Sequence, residues 1–366
     1  MPTGDDREFM KKALRLALRA EGCTSPNPVV GAVCVLGGRI VGRGYHKKAG
    51  FPHAEIEAFA DAGRKGISLK GATLYVTLEP CCHTDKLTPP CTDAIIASGV
   101  SEVVVGSIDP NPKVSGKGVA KLRENGIAVR TGVLGKECTE ANEFFNKHVV
   151  SGIPFVILKC AATIDGKIAS PTGHSKWIGS ETQRKMAHRL RKKVDGVIVG
   201  INTVQKDNPG LDARMVKGNV RQPIPVVMDS RLRISPKAKI FNVHPRCVIA
   251  TTQAAESAEE LRLSELGADI VRLGKANRVP PAELLYNLGA MGMCGVMVEG
   301  GSRVGASFLR EGLVDKIVFF YSPRIIGGDG ISMIGNLEKN SIDEAVNIKN
   351  IRIKRFGDEI MVEGYL

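Results

Sequence analysis

Residues 53–55 read His-Ala-Glu, and residues 79–91 read EPCCHTDKLTPPC. Zinc takes about four tetrahedral ligands, and a catalytic site leaves one of them to water. His53, one of the paired cysteines Cys81 and Cys82, and Cys91 supply the other three. A helix beginning at His53 would present its first turn to a second helix beginning near Cys81 or Cys91, and helix N-termini favour thiolate over thiol. Glu55 stands two residues from the proposed imidazole ligand. It can reach a metal-bound water without binding the metal, and its expected role is to carry that water's proton. A closed four-ligand site drawing on Cys82 or His83 is the competing arrangement, and it would leave Glu55 without a task.

The flanking sequence sets this cluster in alternating helices and strands. Residues 5–21 place Phe9, Ala13, Leu14, Ala17 and Leu18 at helical spacing. VVGAVCVLGGRIVGRGY reads as a hairpin turning at Gly37-Gly38. HAEIEAFADAG reads as a helix, ATLYVTLEP as a buried strand stopped by Pro80, and CTDAIIASG as a short helix. SEVVVGSID, GKGVAKLRENG and IAVRTGV continue as strand, helix and strand. The expected first domain is an α/β helix–sheet–helix sandwich. The pattern restarts near 146–153, which predicts domains 1–147 and 148–366. The second begins with the strand FVILKCAATI, and SETQRKMAHRLRKKV is a helix with Ser180 as its N-cap. Further strands and helices alternate to the C-terminus, predicting a second α/β domain.

Composition excludes several classes. The chain has 366 residues, 43% hydrophobic and 24% charged, with no apolar run of the ~18 residues a membrane span needs. The start, MPTGDDREFMKK, lacks the apolar core of a signal peptide. Nine cysteines, an odd number, fit a reduced cytoplasmic chain. Cys23, Cys34, Cys138, Cys160, Cys247 and Cys294 have no metal spacing and read as small apolar packers. The net charge is +13; residues 1–145 contribute +3 and residues 146–366 contribute +10. This excess suits an anionic partner, a phosphate ester or a nucleic acid, or an ordinary basic surface.

The His-x-Glu and Pro-Cys pattern resembles the signature of zinc-dependent deaminases, with a wider spacing between the cysteines. That departure, with TPPC at the end of the loop, resembles the bifunctional deaminase/reductase family of riboflavin biosynthesis. The loop here is one residue longer than the family pattern, and Cys82 replaces a Ser. The resemblance favours Cys81 as the ligand, because it follows Glu79-Pro80. NPVVGAV (27–33), GYHKKAGFPHAE (44–55) and DPNPKVSGKG (109–118) resemble the family's substrate segments. It implies that Asn27, His46, His83, Thr88, Asp109 and Asn111 contact a phosphoribosyl-pyrimidine.

LKCAATIDGKIA (158–169), residues 175–214 and VEGGSRVGASFL (298–309) resemble the family's reductase half, whose fold is similar to dihydrofolate reductase. The resemblance implies NADPH contacts at Ala161, Trp177, Thr203, Asp207, Ser230 and the run Gly301, Ser302, Arg303, Val304, Gly305, Ala306 and Ser307. It implies substrate contacts at Ser175, Arg191, Leu211, Arg214 and Glu299, and places Lys159 near the chemistry. Arg191 and Arg214 suit a phosphate, because a guanidinium fork binds it bidentately. Gly300-Gly301 before a helix would let the backbone approach a phosphate. It is not the Rossmann pattern, and no Rossmann domain is expected. For Trp177, the single Trp, a place in the core is the alternative reading.

The resemblance thus implies a zinc deaminase that acts on 2,5-diamino-6-(5-phosphoribosylamino)pyrimidin-4(3H)-one, joined to a reductase that uses NADPH to convert the ribosyl group to ribityl. It also implies a homo-oligomer, with neither nucleic acid nor membrane as partner. The rival reading is an RNA-editing deaminase whose basic second domain binds RNA. It accounts for the metal motif and the charge, but not for the TPPC loop or the reductase-like segments.

Overall fold

The structure is a computed structural model that describes residues 4–84, 89–218, 220–274 and 277–366. The chain separates into two compact units, Met1–Gly152 and Ile153–Leu366. The break expected after residue 147 falls inside a helix, Glu143–Ser151, and the division comes at its end.

In the first unit, strands β1 (Gly31–Leu36) and β2 (Arg39–Tyr45) form a hairpin closed by Gly37-Gly38. Both glycines have positive φ, +56° and +74°, as a tight two-residue hairpin turn requires. Strands β3 (Thr73–Leu78), β4 (Glu102–Ser107) and β5 (Ala128–Thr131) complete a sheet of order β2-β1-β3-β4-β5. β1 runs antiparallel to β2 and β3, while β3, β4 and β5 are parallel. Alternate residues serve opposite faces. Ala32, Leu74, Val76, Val103 and Val105 pack against α2 (Ala54–Arg64), α3 (Cys91–Ser98) and α4 (Lys117–Glu124). Val33, Val35, Tyr75 and Val104 pack against α1 (Gly4–Ala17) and α5 (Gly135–Ala141). This is the expected sandwich. The helices α5 and α6 (Glu143–Ser151) carry no strong apolar period and were not part of the sequence expectation.

The second unit is built on a nine-stranded sheet. Its strands are β6 (Phe155–Thr163), β8 (Gly196–Gly200), β9 (Ile224–Met228), β10 (Cys247–Thr251), β11 (Ala268–Arg272), β12 (Gly295–Glu299), β13 (Lys316–Ser322), β15 (Lys349–Phe356) and β16 (Glu359–Tyr365). The order is β11-β10-β9-β8-β12-β6-β13-β16-β15. All pairs from β11 to β13 are parallel, and β16 and β15 are added antiparallel. Two short strands, β7 (Lys167–Ala169) and β14 (Ile331–Ser332), pair separately. The helices are α7 (Glu181–Lys193), α8 (Ile201–Asp207), α9 (Lys239–Val243), α10 (Ser257–Ser264), α11 (Pro281–Ala290) and α12 (Ser302–Arg310). Ser180 caps α7, its hydroxyl accepting from the Gln183 N–H. Because the central strands are parallel, the ends of β8, β9 and β12 lie along one edge of the sheet. Open α/β sheets place ligands at that carboxyl edge.

Candidate active sites

The first site is set by how closely α2 lies on the hairpin. A Cβ on Gly42 would stand 2.3 Å from the Ala58 carbonyl oxygen. His53 is the N-cap of α2, and Glu55 is buried in its first turn. β3 ends at Leu78 and delivers Glu79-Pro80-Cys81, while Cys91 opens α3. Residues 81–84 are not helical, so the second helix starts at Cys91 rather than Cys81. His53 Nδ1 lies 3.1 Å from Cys91 Sγ and 3.5 Å from Cys81 Sγ. The three donor atoms all lie within 4.8 Å of one another. Donors on one tetrahedral zinc stand about 3.5–3.8 Å apart, from Zn–N and Zn–S lengths of about 2.0 and 2.3 Å. One imidazole nitrogen and two sulfurs at this spacing fit the ion. The structure groups Cys81, not Cys82, with His53 and Cys91.

Burial holds the Glu55 carboxyl above the ordinary carboxylate range, and the charge of Cys81 pushes the same way. His53 and a hydrogen bond with Cys91 oppose the shift. A carboxyl placed here can accept a proton and return it.

His46 is buried, and its ring stands 5.2 Å from that of His53. Its Nδ1 meets the Pro52 carbonyl at 3.2 Å, so that nitrogen carries the proton, and Nε2 accepts from Asn27 Nδ2 at 3.1 Å. Burial holds the ring below the ordinary histidine range. Asp109 is buried at the end of β4, and its carboxylate accepts from the Asn111 N–H at 2.8 Å. Its pKa is pushed up to about 6, by burial first. His83 is half-buried, and among the described residues its Nδ1 has no hydrogen-bond partner. Thr88 lies outside the described residues.

The second site gathers on the carboxyl edge of the large sheet. Glu299 ends β12 and is engaged by two cations: Lys159 Nζ at 3.1 Å, and Arg191 Nε and Nη2 at 2.7 and 2.9 Å. Burial would raise the Glu299 pKa, but Arg191 and Lys159 outweigh it and hold the carboxyl far below its ordinary range. Arg191 Nη1 donates to the Asp212 carbonyl at 3.0 Å. Arg191 is thus held by Glu299 and Asp212 through three of its five N–H donors. Arg214 is exposed and pairs with the Asp212 carboxylate, so it keeps donors for an anion. Leu211 is buried at φ +51° beside it.

Thr203 of α8 faces the Gly300-Gly301 turn, and a Cβ on Gly300 would stand 3.0 Å from its Oγ1. Gly300 and Gly301 have φ of +134° and +56°, and the turn opens α12. This cradle, formed where a strand gives way to a helix N-terminus, fits a phosphate-bearing cofactor. Gly305 and Ala306 are buried inside α12, whereas Ser302, Val304 and Ser307 are partly exposed and Arg303 is exposed. Ser230 follows β9, and its carbonyl accepts from Thr252. Ala161 lies on β6, and Ser175 is half-buried. Asp207 lies 3.9 Å from Lys176. Trp177 is 62% exposed with Arg184 stacked on its ring, so it is not core.

Two acids had no assigned role in the sequence reading. Asp212 joins Arg191 to Arg214, and Glu79 binds the loop after β4. Their motifs, LDAR and EPC, were visible, but a carboxylate's partner is not.

Comparison with known proteins agrees with both sites. Residues 3–107 match the cytidine and deoxycytidylate deaminase zinc-binding region, and residues 154–362 match the RibD C-terminal domain. The riboflavin biosynthesis protein RibD of Aquifex aeolicus is 46% identical over 98% of this chain and 97% of its own length. That of Escherichia coli K12 is 36% identical over 97% and 98%. A Thermotoga maritima diaminohydroxyphosphoribosylaminopyrimidine deaminase/5-amino-6-(5-phosphoribosylamino)uracil reductase superposes with a TM-score of 0.87 at 39% identity, covering 98% of each chain. Acinetobacter baumannii RibD gives 0.88 at 33% identity, covering 99% and 98%. The first unit is cytidine-deaminase-like and zinc-binding; the second is a dihydrofolate-reductase-like domain of the type that uses NADPH, not an RNA-binding arm. Among the described residues no helix is long and apolar enough to cross a membrane. The chain belongs to the RibD family of bifunctional riboflavin-biosynthesis enzymes, a deaminase and a reductase in one polypeptide.

Proposed function

We propose that the two sites act in turn on one phosphoribosyl-pyrimidine, 2,5-diamino-6-(5-phosphoribosylamino)pyrimidin-4(3H)-one. The observation that carries the first step is the buried Glu55 carboxyl beside the His53–Cys81–Cys91 donor group. Zinc held there supplies a water acidic enough to act at neutral pH. Glu55 would take a proton from the attacking water and return it to the leaving amine, so that the water oxygen replaces the nitrogen on the ring carbon and ammonia departs. Asn27, oriented by His46, offers amide donors and an acceptor to the pyrimidine edge, and Asp109 and Asn111 hold the substrate from the opposite loop.

In the second unit NADPH supplies the hydride that turns the ribosyl group into ribityl. The Gly300-Gly301 turn, Thr203, Ser230 and Ser302–Ser307 would hold its phosphates. Glu299 fixes the Lys159 ammonium at the edge of β6 and β12, where it can hydrogen-bond to the sugar oxygen as the ring opens. Arg214, whose donors are not all engaged, is the phosphate anchor; Arg191 orders the site from behind.

We assign residues 1–152 to the deaminase and 153–366 to the reductase. The family likeness supports a homo-oligomer in the cytoplasm. The test is a single reaction of the zinc-loaded chain with the diaminopyrimidine phosphate and NADPH. Ammonia release without NADPH, followed by NADPH oxidation when it is added, is expected. NADPH oxidation on the undeaminated compound at the same rate would overturn the order.

A further inference from the structure

Glu79 immediately precedes the Pro80-Cys81 ligand segment and is only 3% exposed. Every hydrogen bond its carboxylate makes among the described residues comes from backbone N–H. Oε2 accepts from Asp109 at 3.2 Å and Gly116 at 3.0 Å, and Oε1 accepts from Val119 at 3.0 Å. Gly116 is the N-cap of α4, and Val119 lies in its first turn. The first N–H groups of a helix have no partner within it, and an acid near them is stabilising. Gly116 has no side chain with which to cap, so Glu79 caps α4 from another part of the fold. Gly118 makes room for this: a Cβ there would stand 2.2 Å from the Pro80 carbonyl oxygen and 3.1 Å from Glu79 Oε1.

The loop tied down in this way is stiffened by its own bonds. Asp109 accepts from the Asn111 N–H, Asn111 Oδ1 accepts from the Lys113 N–H, and the Asn111 carbonyl accepts from Val114 and Ser115. Asp109 and Asn111 therefore move with the loop as one body. One carboxylate grips both ends of that body, while its own backbone leads directly to Cys81.

We propose that Glu79 is a positioning residue for deamination: it sets the distance between the ligand segment ending at Cys81 and the Asp109–Gly116 loop that holds the pyrimidine. This rests on the reading that the loop contacts substrate. Only a carboxylate can accept at both oxygens. A glutamine of the same shape would set its NH2 group against a backbone N–H, freeing one end of the loop.

The test uses the full zinc-loaded chain with Glu79→Gln and, approaching the same contact from the helix side, Gly118→Ala; Asn111→Ala is the reference. The measurements are zinc content, deaminase kcat and KM, reductase rate on the deaminated compound, and amide exchange over 109–119. Glu79→Gln is expected to raise deaminase KM at least tenfold with kcat changed less than threefold. One zinc per chain, an unchanged reductase rate and faster exchange confined to 109–119 should accompany it, with the same direction in Gly118→Ala. A residue that only stabilises the fold would lower the active fraction and leave KM alone. Unchanged KM in Glu79→Gln with a raised KM in Asn111→Ala overturns the proposal but not the site. Unchanged KM in Asn111→Ala removes the loop from the substrate site, and the proposal falls with it. Loss of zinc from both Glu79→Gln and Gly118→Ala would make Glu79 a residue of the fold and also overturn it.

Discussion

Gly44 on β2 faces Ala54 at the start of α2 so closely that a Cβ on the glycine would stand 2.2 Å from the Ala54 carbonyl oxygen. The neighbours are backbone atoms, which cannot turn aside as a side chain can. Ala54 sits between His53 and Glu55, so displacing it moves a zinc ligand and the proton carrier together. Gly44→Ala is expected to lower bound zinc and ammonia release at least tenfold, with the NADPH-dependent rate on the deaminated compound retained. Metal analysis on the purified variant checks this; full zinc occupancy would show that the helix can retreat at no cost to the site.

Glu55 lies beside the donor group but is not one of its three members. Glu55→Gln keeps the shape and removes the proton carrier. General acid–base groups contribute about 10²–10⁴-fold, so ammonia release should fall by that much while zinc stays at one per chain. Zinc loss accompanying the activity loss would instead mark Glu55 as part of the metal's support.

The folded-state pKa of Asp109, about 6 against an ordinary 3.8, gives a signed dependence on pH. Its raised value means folding favours the protonated acid. That stability is full below about pH 4 and is lost as pH rises through about 6. Above pH 6 the ionised group costs the first unit roughly 1–3 kcal/mol. Asp109→Asn should raise the first unit's Tm at pH 8, flatten its change between pH 4 and 6, and raise deaminase KM. Calorimetry at the two pH values decides it, since an equal Tm change at both would assign the effect to packing rather than charge.

Arg191 and Arg214 should separate stability from binding. Arg191→Ala leaves the Glu299 carboxylate buried with only Lys159, and removing one partner of a buried pair costs about 3–5 kcal/mol. Arg191→Lys should not restore it, because a single ammonium cannot replace the fork. Arg214 is exposed and is expected to contribute little to stability, whereas Arg214→Ala should raise reductase KM about tenfold, on the order of one charge-assisted bond. Denaturant unfolding beside reductase kinetics distinguishes the two. A KM effect at Arg191 without a stability loss would return that residue to direct phosphate binding.

The layered fold of the first unit was legible because its strands are short apolar runs bounded by turn residues, buried on both faces: Val33, Val35 and Val104 turn to one layer of helices and Ala32, Val103 and Val105 to the other. His53, Glu55 and Cys91 were legible because each falls in or beside a helix first turn, where spacing fixes direction. The helices over 135–151 were not, because their contacts rather than their apolar period hold them in place. Asn142 between them pairs its amide with both backbone groups of Val29, a partner 113 residues away.

Sequence alone determined the alternation of most helices and strands and the metal-binding residue types, because periodicity and motif spacing act over a few residues; the two chemistries came from the resemblance of its motifs to a known family. Tertiary packing decided that Cys81 rather than Cys82 joins His53 and Cys91, that Arg191 is held by Glu299 and Asp212, and that Glu79 grips the loop after β4. A buried polar group must find its partner wherever the fold brings one, and that meeting is set by the packing of distant segments, not by the neighbours along the chain.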